Sequence, residues 1–298
     1  MEQQETKIAK KDLIRKKTGY PGMEIHKSGE VEYLTFPALE RLNILTHMVT
    51  SRFGGVSTGD CASFNFSYAR DTNREAVDEN FRRAAGVFGT TSDAFVCSDQ
   101  THTTNIRRVE KEDAGKGVTK EKDYRDVDGL ITNVPGLILG TFYADCVPLL
   151  FVDPVHHAIG CSHSGWRGTV GEMGKKTVEA MREAYGSLPE DIFAAIGPSI
   201  CQDCYEVGKD VAEPFEKLFS QERYQDVSME NILTEKVNGK YQLDLWRANE
   251  AILLSTGILK EHLSMTDICT CCNPSYLFSH RASKGKRGNL AAFLMLKQ

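Results

Sequence analysis

Apolar positions recur along the chain with two periods, and each change of period marks a new element. In residues 73–88, Val77, Phe81, Ala84, Ala85 and Phe88 fall at helical spacing, with Asp71 to Asn73 available as caps. Residues 169–185 repeat the pattern through Val170, Met173, Val178, Met181 and Ala184, and Gly186 supplies a C-terminal stop. Two more amphipathic helices are predicted over 209–219 and 244–255, the second capped by Asp244 and stopped by Gly257. Elsewhere the apolar runs are too short for helices. Residues 94–97, 129–132, 137–142, 192–196, 277–279 and 290–296 read as strands or strand-length runs, and residues 23–26 and 31–36 flank a turn, Lys27-Ser28-Gly29-Glu30, as in a hairpin. Residues 111–125 are charged and Gly-bearing, the pattern of a solvated loop.

The run from Gly140 to Gly168 organises the rest. Apolar residues 147–152 and 158–161 flank Asp153-Pro154, which predicts a hairpin turning at the proline. Its open end carries Asp145 and Cys146 on one side and His163, Trp166 and Arg167 on the other. Reactive groups held at strand ends are a common way for a rigid scaffold to present chemistry. Gly165-Trp166-Arg167-Gly168 then enters a predicted helix whose first N–H groups would favour an anion. Strands and helices alternate without a strict βαβ rhythm, so an α+β layered fold with mixed sheets is expected. Residues 1–22 read as a polar extension, frayed or helical over 1–17, and residues 23–298 as a single catalytic domain.

Composition narrows the function. The 298 residues are 41% hydrophobic and 26% charged, ordinary for a globular protein, and the formal net charge of −5 argues against a nucleic-acid grip. No run approaches the roughly 20 apolar residues that span a bilayer, and the N-terminus lacks a signal-peptide core, which together point to a cytoplasmic protein. The nine Cys are odd in number and scattered, so metal binding or thiol chemistry explains them better than a disulfide framework.

Three arrangements could use those thiols. His102, Cys146 and His163 each end an apparent strand, and two imidazoles with a thiolate form a three-ligand set for Zn²⁺ with a fourth position open. Cys201-x-x-Cys204 and Cys269-x-x-Cys272 could instead build a structural Cys₄ site. Alternatively, Cys146 could act without metal as the nucleophile of a cysteine hydrolase, with His163 as its base. Copper oxidases need many histidines, often as His-x-His, and the eight present include no such pair.

Six motifs then stand in order: Ser51-Arg52-Phe53-Gly54-Gly55-Val56-Ser57, Gln100-Thr101-His102, Ala144-Asp145-Cys146-Val147-Pro148, His163-Ser164-Gly165-Trp166-Arg167-Gly168, Gly197-Pro198-Ser199-Ile200 with Tyr205-Glu206-Val207-Gly208, and Phe278-Ser279-His280-Arg281 with Gly288-Asn289. In combination they resemble the YfiH/YlmD family, formerly classed as polyphenol oxidases or laccases. The resemblance implies a layered αββα fold and a zinc-containing purine nucleoside phosphorylase that also deaminates adenosine and cleaves methylthioadenosine. It implies zinc ligands at His102, Cys146 and His163, with purine nucleosides and phosphate as partners and a monomeric or homodimeric state. Under that reading Arg52, Arg167 and Arg281 are candidate phosphate binders, because a guanidinium holds two phosphate oxygens at once. Asn65 joins them as a candidate substrate-binding residue. Asp145, beside a ligand, is a candidate proton shuttle, or else a group that orients His163 or His102.

Overall fold

The computed structural model describes residues 13–298, and its core is built from two six-stranded sheets packed face to face. In spatial order the first sheet holds Glu24–Ser28, Val31–Thr35, Leu45–Thr50, Leu290–Leu296, Ile138–Tyr143 and Phe95–Cys97. The second holds Leu263–Met265, Phe193–Ile196, Val147–Asp153, Ala158–Ser164, Gly129–Thr132 and Ile106–Arg108. Both sheets are mixed, with parallel pairs at Phe95–Cys97 on Ile138–Tyr143 and at Phe193–Ile196 on Leu263–Met265.

Side-chain alternation explains the layering. Along Leu290–Leu296, Leu290, Ala292, Leu294 and Leu296 face the second sheet, while Ala291, Phe293 and Met295 pack with Val77 and Phe81 of helix Arg74–Val87. Along Val147–Asp153, Leu150 and Val152 join the inter-sheet core, and Val147, Leu149 and Phe151 pack against helices Met173–Tyr185, Lys209–Phe219 and Leu245–Ser255. One helical layer therefore covers each sheet, and the expected αββα order follows from strands buried on both faces.

Most expected elements form, with two corrections. The helix expected over 169–185 is broken into Trp166–Val170 and Met173–Tyr185, because Glu172 takes a left-handed conformation (φ 57°) while its carboxylate is held by Arg223 and Tyr224. Residues 277–279 are buried but form no strand: Tyr276 and Leu277 donate their N–H groups back to Asn273 in a turn. The expected frayed or helical extension falls largely outside the described residues; within them, Arg15 bridges to Ile268 and is paired with Asp267 at 2.5 Å.

Candidate metal centre and substrate cavity

Two candidate ligands lie where the chain passes from one sheet to the other. Ile138–Tyr143 belongs to the first sheet and Val147–Asp153 to the second, so Ala144, Asp145 and Cys146 make the crossing. His102 lies in a second crossing, between Phe95–Cys97 and Ile106–Arg108. Asp145 and His102 both turn through positive φ, 87° and 66°. Such conformations cost a non-glycine residue energy and persist where the surroundings over-determine them. At Asp145, Oδ1 accepts from Thr270 Oγ1 at 2.6 Å, Oδ2 from the Arg281 N–H at 2.7 Å, and the carbonyl from the Ile200 N–H at 3.0 Å.

His163, near the end of Ala158–Ser164, completes the set. The donor atoms of His102, Cys146 and His163 all lie within 4.8 Å of one another, and the two imidazole rings meet edge to face at 5.0 Å. Gly165 permits this closeness: a Cβ there would stand 3.1 Å from both Cys146 Sγ and His102 Cδ2.

A group that sequence reasoning missed sets the orientation. Asp128 is fully buried, and its Oδ1 bonds His163 Nδ1 at 2.8 Å and accepts the His102 N–H at 3.1 Å. Its Oδ2 accepts from the Thr101 N–H, the Thr103 N–H and Thr103 Oγ1. Asp145, by contrast, holds Thr270 and Arg281 and orients neither histidine, which corrects the alternative expectation that it orients His163 or His102. With Nδ1 committed, His163 presents Nε2 to the centre. No sequence signal marked Asp128, which precedes a four-residue strand.

The electrostatics favour a thiolate. Burial opposes ionisation of Cys146, but the charge on His163 and hydrogen bonds from both histidines outweigh it and bring the thiol down to about 6. Burial likewise works against the His163 imidazolium, yet Cys146 and Asp128 raise it to about 9. Two imidazoles and a readily ionised sulfur fit a borderline-soft metal ion with three protein ligands. A Cys146–His163–Asp128 line could also serve a thiol nucleophile, but His102 makes the sulfur one corner of a three-donor set.

Two cavities meet at this centre. A cavity of about 470 Å³ is lined by Tyr68, Arg70, Gln100, Lys122, Phe142 and Arg287 together with the three donors. That is room for a nucleoside. A smaller cleft of about 90 Å³ opens beyond His102 and Cys146 onto Asp145, Trp166, Arg167 and Tyr205.

The expected anion binders separate on this map. Arg167 lines the small cleft with its guanidinium 4.2 Å from the Trp166 ring centre. Arg281 sits nearby, donating to the carbonyls of Cys204 and Glu206. Arg52 has different work: Nε and Nη2 donate to the Ala62 carbonyl, Nη1 donates to that of Pro274, and its plane lies 4.6 Å from the Phe278 ring centre. The glycines beside it are packing glycines, since a Cβ on Gly55 would lie 2.1 Å from the Ser63 carbonyl oxygen. Asn65 is fully buried; its Oδ1 accepts the N–H groups of Ser67 and Asn289, which holds the wall of the large cavity from behind. None of Arg52, Asn65 and Arg281 lines the large cavity or the small cleft. Arg70 and Arg287, which do line the large one, were not singled out by sequence reasoning. Burial, then the charge of Arg70, brings the Arg287 guanidinium down to about 10.

A sequence model for the family described as "Multi-copper polyphenol oxidoreductase laccase" matches residues 46–297. The chain is 36% identical to the purine nucleoside phosphorylase YlmD of Bacillus subtilis, over 84% of this chain and 87% of that one. It is also 36% identical to the adenosine deaminase RL5 of an unknown prokaryotic organism, over 72% and 79% respectively. These relatives do not favour the cysteine hydrolase alternative. Among solved structures, YfiH of Bacillus licheniformis superposes with a TM-score of 0.84 at 30% identity, covering 92% of this chain and 99% of that one. YlmD of Geobacillus stearothermophilus gives 0.82 at 31% identity, with the same coverage. Likeness over nearly the whole fold, with the match through residues 46–297, makes this chain a member of the laccase-like family to which YfiH and YlmD belong.

Proposed function

We propose that the protein is a zinc-dependent purine nucleoside phosphorylase that also deaminates adenosine. The observation that carries this reading is the opening of a His102–Cys146–His163 donor set onto a polar cavity of nucleoside size edged by two arginines. The names of the relatives support the same chemistry. When bound, zinc supplies a Lewis acid and an acidified water, the latter sufficient for hydrolytic loss of an amino group.

The chain's own residues have the remaining tasks. Arg287 and Arg70 hold phosphate, which relieves the repulsion between two neighbouring cations. A phosphate oxygen then bonds to the anomeric carbon as the glycosidic C–N bond breaks, and the purine leaves with the electron pair and takes up a proton. Phe142, on the wall of the large cavity, is the aromatic contact for the base, since the Tyr68 ring is engaged by Arg74 and Phe81. Asp145, fixed by Thr270 and Arg281 at the edge of the small cleft, exchanges protons with the reacting groups. Arg167, which lines that cleft, serves the polar end of the substrate on that side. The test is phosphate-dependent release of free purine from adenosine and inosine, alongside metal analysis. Zinc-loaded protein that leaves both nucleosides intact in phosphate buffer refutes the assignment.

A further inference from the structure

Two Cys-x-x-Cys segments take no part in that chemistry. Cys201-Gln202-Asp203-Cys204 follows strand Phe193–Ile196, and Cys269-Thr270-Cys271-Cys272 follows Leu263–Met265. Because these strands pair in parallel, both segments leave the sheet at the same end, and a bridge between Ser199 and Cys269 keeps them side by side. We propose that Cys201, Cys204, Cys269 and Cys272 form a second, structural metal site that binds Zn²⁺ as a tetrathiolate.

The sulfur geometry fits. All four Sγ atoms lie within 4.8 Å of one another, with Cys204 to Cys272 at 3.5 Å and Cys201 to Cys272 at 3.9 Å. Tetrahedral zinc with Zn–S of about 2.3 Å separates its sulfurs by roughly 3.8 Å. The nine cysteines are free thiols, so neither segment is closed by a disulfide.

Backbone donors and a cation face the cluster. Cys269 Sγ accepts two backbone N–H groups, from Cys201 at 3.2 Å and Cys272 at 3.4 Å. A neutral thiol is a weak acceptor, whereas an anionic sulfur rewards such donors. Lys16, bonded to Asp203 at 2.9 Å, places a cation where the charges of Cys201 and Cys272 reach it. Four thiolates on one divalent ion carry a net charge of −2, which that ammonium partly offsets.

The site braces the crossing that carries Asp145 and Cys146. The Ile200 N–H next to Cys201 donates to the Asp145 carbonyl, and Thr270, between two of the cysteines, holds the Asp145 carboxylate. The Cys204 carbonyl accepts from Arg281. Metal here would fix both arms that grip Asp145, and it is independent of the reaction proposed for the neighbouring centre.

The test uses the full-length chain purified with zinc. A His102→Ala/His163→Ala variant should keep one zinc per chain, with four sulfur neighbours by X-ray absorption. Cys204→Ser/Cys272→Ser should remove that all-sulfur signal, and Cys271→Ser should leave it intact. Should the cysteine variant fail to fold, the histidine variant still decides. Loss of all zinc from the histidine variant, nitrogen or oxygen neighbours around its metal, iron in place of zinc, or an intact mass showing disulfides would each overturn the proposal.

Discussion

Asp128→Asn is a small change that should disable the candidate metal centre. The carboxylate takes bonds from five donors, three at Oδ2 and, at Oδ1, the His102 N–H and His163 Nδ1. An asparagine keeps one oxygen. If that oxygen stays with the three donors, the new NH₂ faces the other two. The His102 N–H is then orphaned, at about 1–3 kcal/mol for a buried donor. His163 must also turn its Nδ1 into an acceptor, which moves its proton to Nε2, the atom that faces Cys146. Loss of such an orienting carboxylate costs about 10–100-fold in metal affinity, equivalent to about 1.4–2.7 kcal/mol. Zinc competition against a chromophoric chelator reads the affinity, and thermal unfolding of metal-free protein reads the fold. The expected result is weakened binding with a folded protein. Zinc affinity and purine release at wild-type levels in Asp128→Asn would refute the role given to this carboxylate.

Gly165→Ala should act on the same centre by steric means, since its Cβ would press on Cys146 and His102 at 3.1 Å. Overpacking of about 1–3 kcal/mol corresponds to roughly 5–160-fold weaker zinc binding, and chelator competition checks it. Arg287→Ala should raise the phosphate KM by about 10–150-fold, the worth of a charged hydrogen bond of about 1.5–3 kcal/mol. Arg52→Ala should leave that KM unchanged and lower the unfolding midpoint instead, because its donors hold the Ala62 and Pro274 carbonyls. His47 should make the fold acid-sensitive. Burial, then the charge of His26, depresses it to about 3, and its Nε2 accepts the Phe36 N–H, so the folded ring is neutral. Above the unfolded value near 6.5 it has no effect on stability; below it the unfolded chain gains a proton that the fold refuses, at up to about 1.4 kcal/mol per pH unit. His47→Gln should flatten the fall in urea midpoint between pH 7 and pH 5.

What could be read ahead of the structure was the local part. Lys209–Phe219 and the Asp244 cap of Leu245–Ser255 follow from spacing and capping chemistry, since Asp244 accepts the N–H groups of Trp246 and Arg247. The hairpin that carries His163, expected over 147–152 and 158–161 and found three residues longer at its open end, was legible because a proline turn joins two apolar runs close in sequence. Strand Leu45–Thr50 was not: its polar Thr46 and His47 hide the pattern, and it is stabilised by pairing with residues near the other end of the chain. Arg52 and Asn65 were named for chemistry that their types allow. Which partner each would meet, Ala62 and Pro274 or Asn289, depends on backbone approaches that spacing does not encode.

The position of the site follows from the two-sheet architecture. A sheet that pairs its backbone fully and buries both faces leaves little room for polar chemistry except where the chain leaves it. The routes through 98–105 and 144–146 both pass from the first sheet to the second. They deliver His102 and Cys146 to the end of the strand that carries His163. Positive φ at His102 and Asp145 is the local cost of turning so sharply. It is sustained by hydrogen bonds with groups outside the crossings: Asp128 accepts the His102 N–H at the first, and Ile200, Thr270 and Arg281 donate to Asp145 at the second. The groups that should matter most beyond the three donors are therefore the buried anchors of those turns rather than further residues on the cavity wall. On that logic, loosening the anchors at Ile200 and Thr270 should disturb Asp145 before it disturbs the fold.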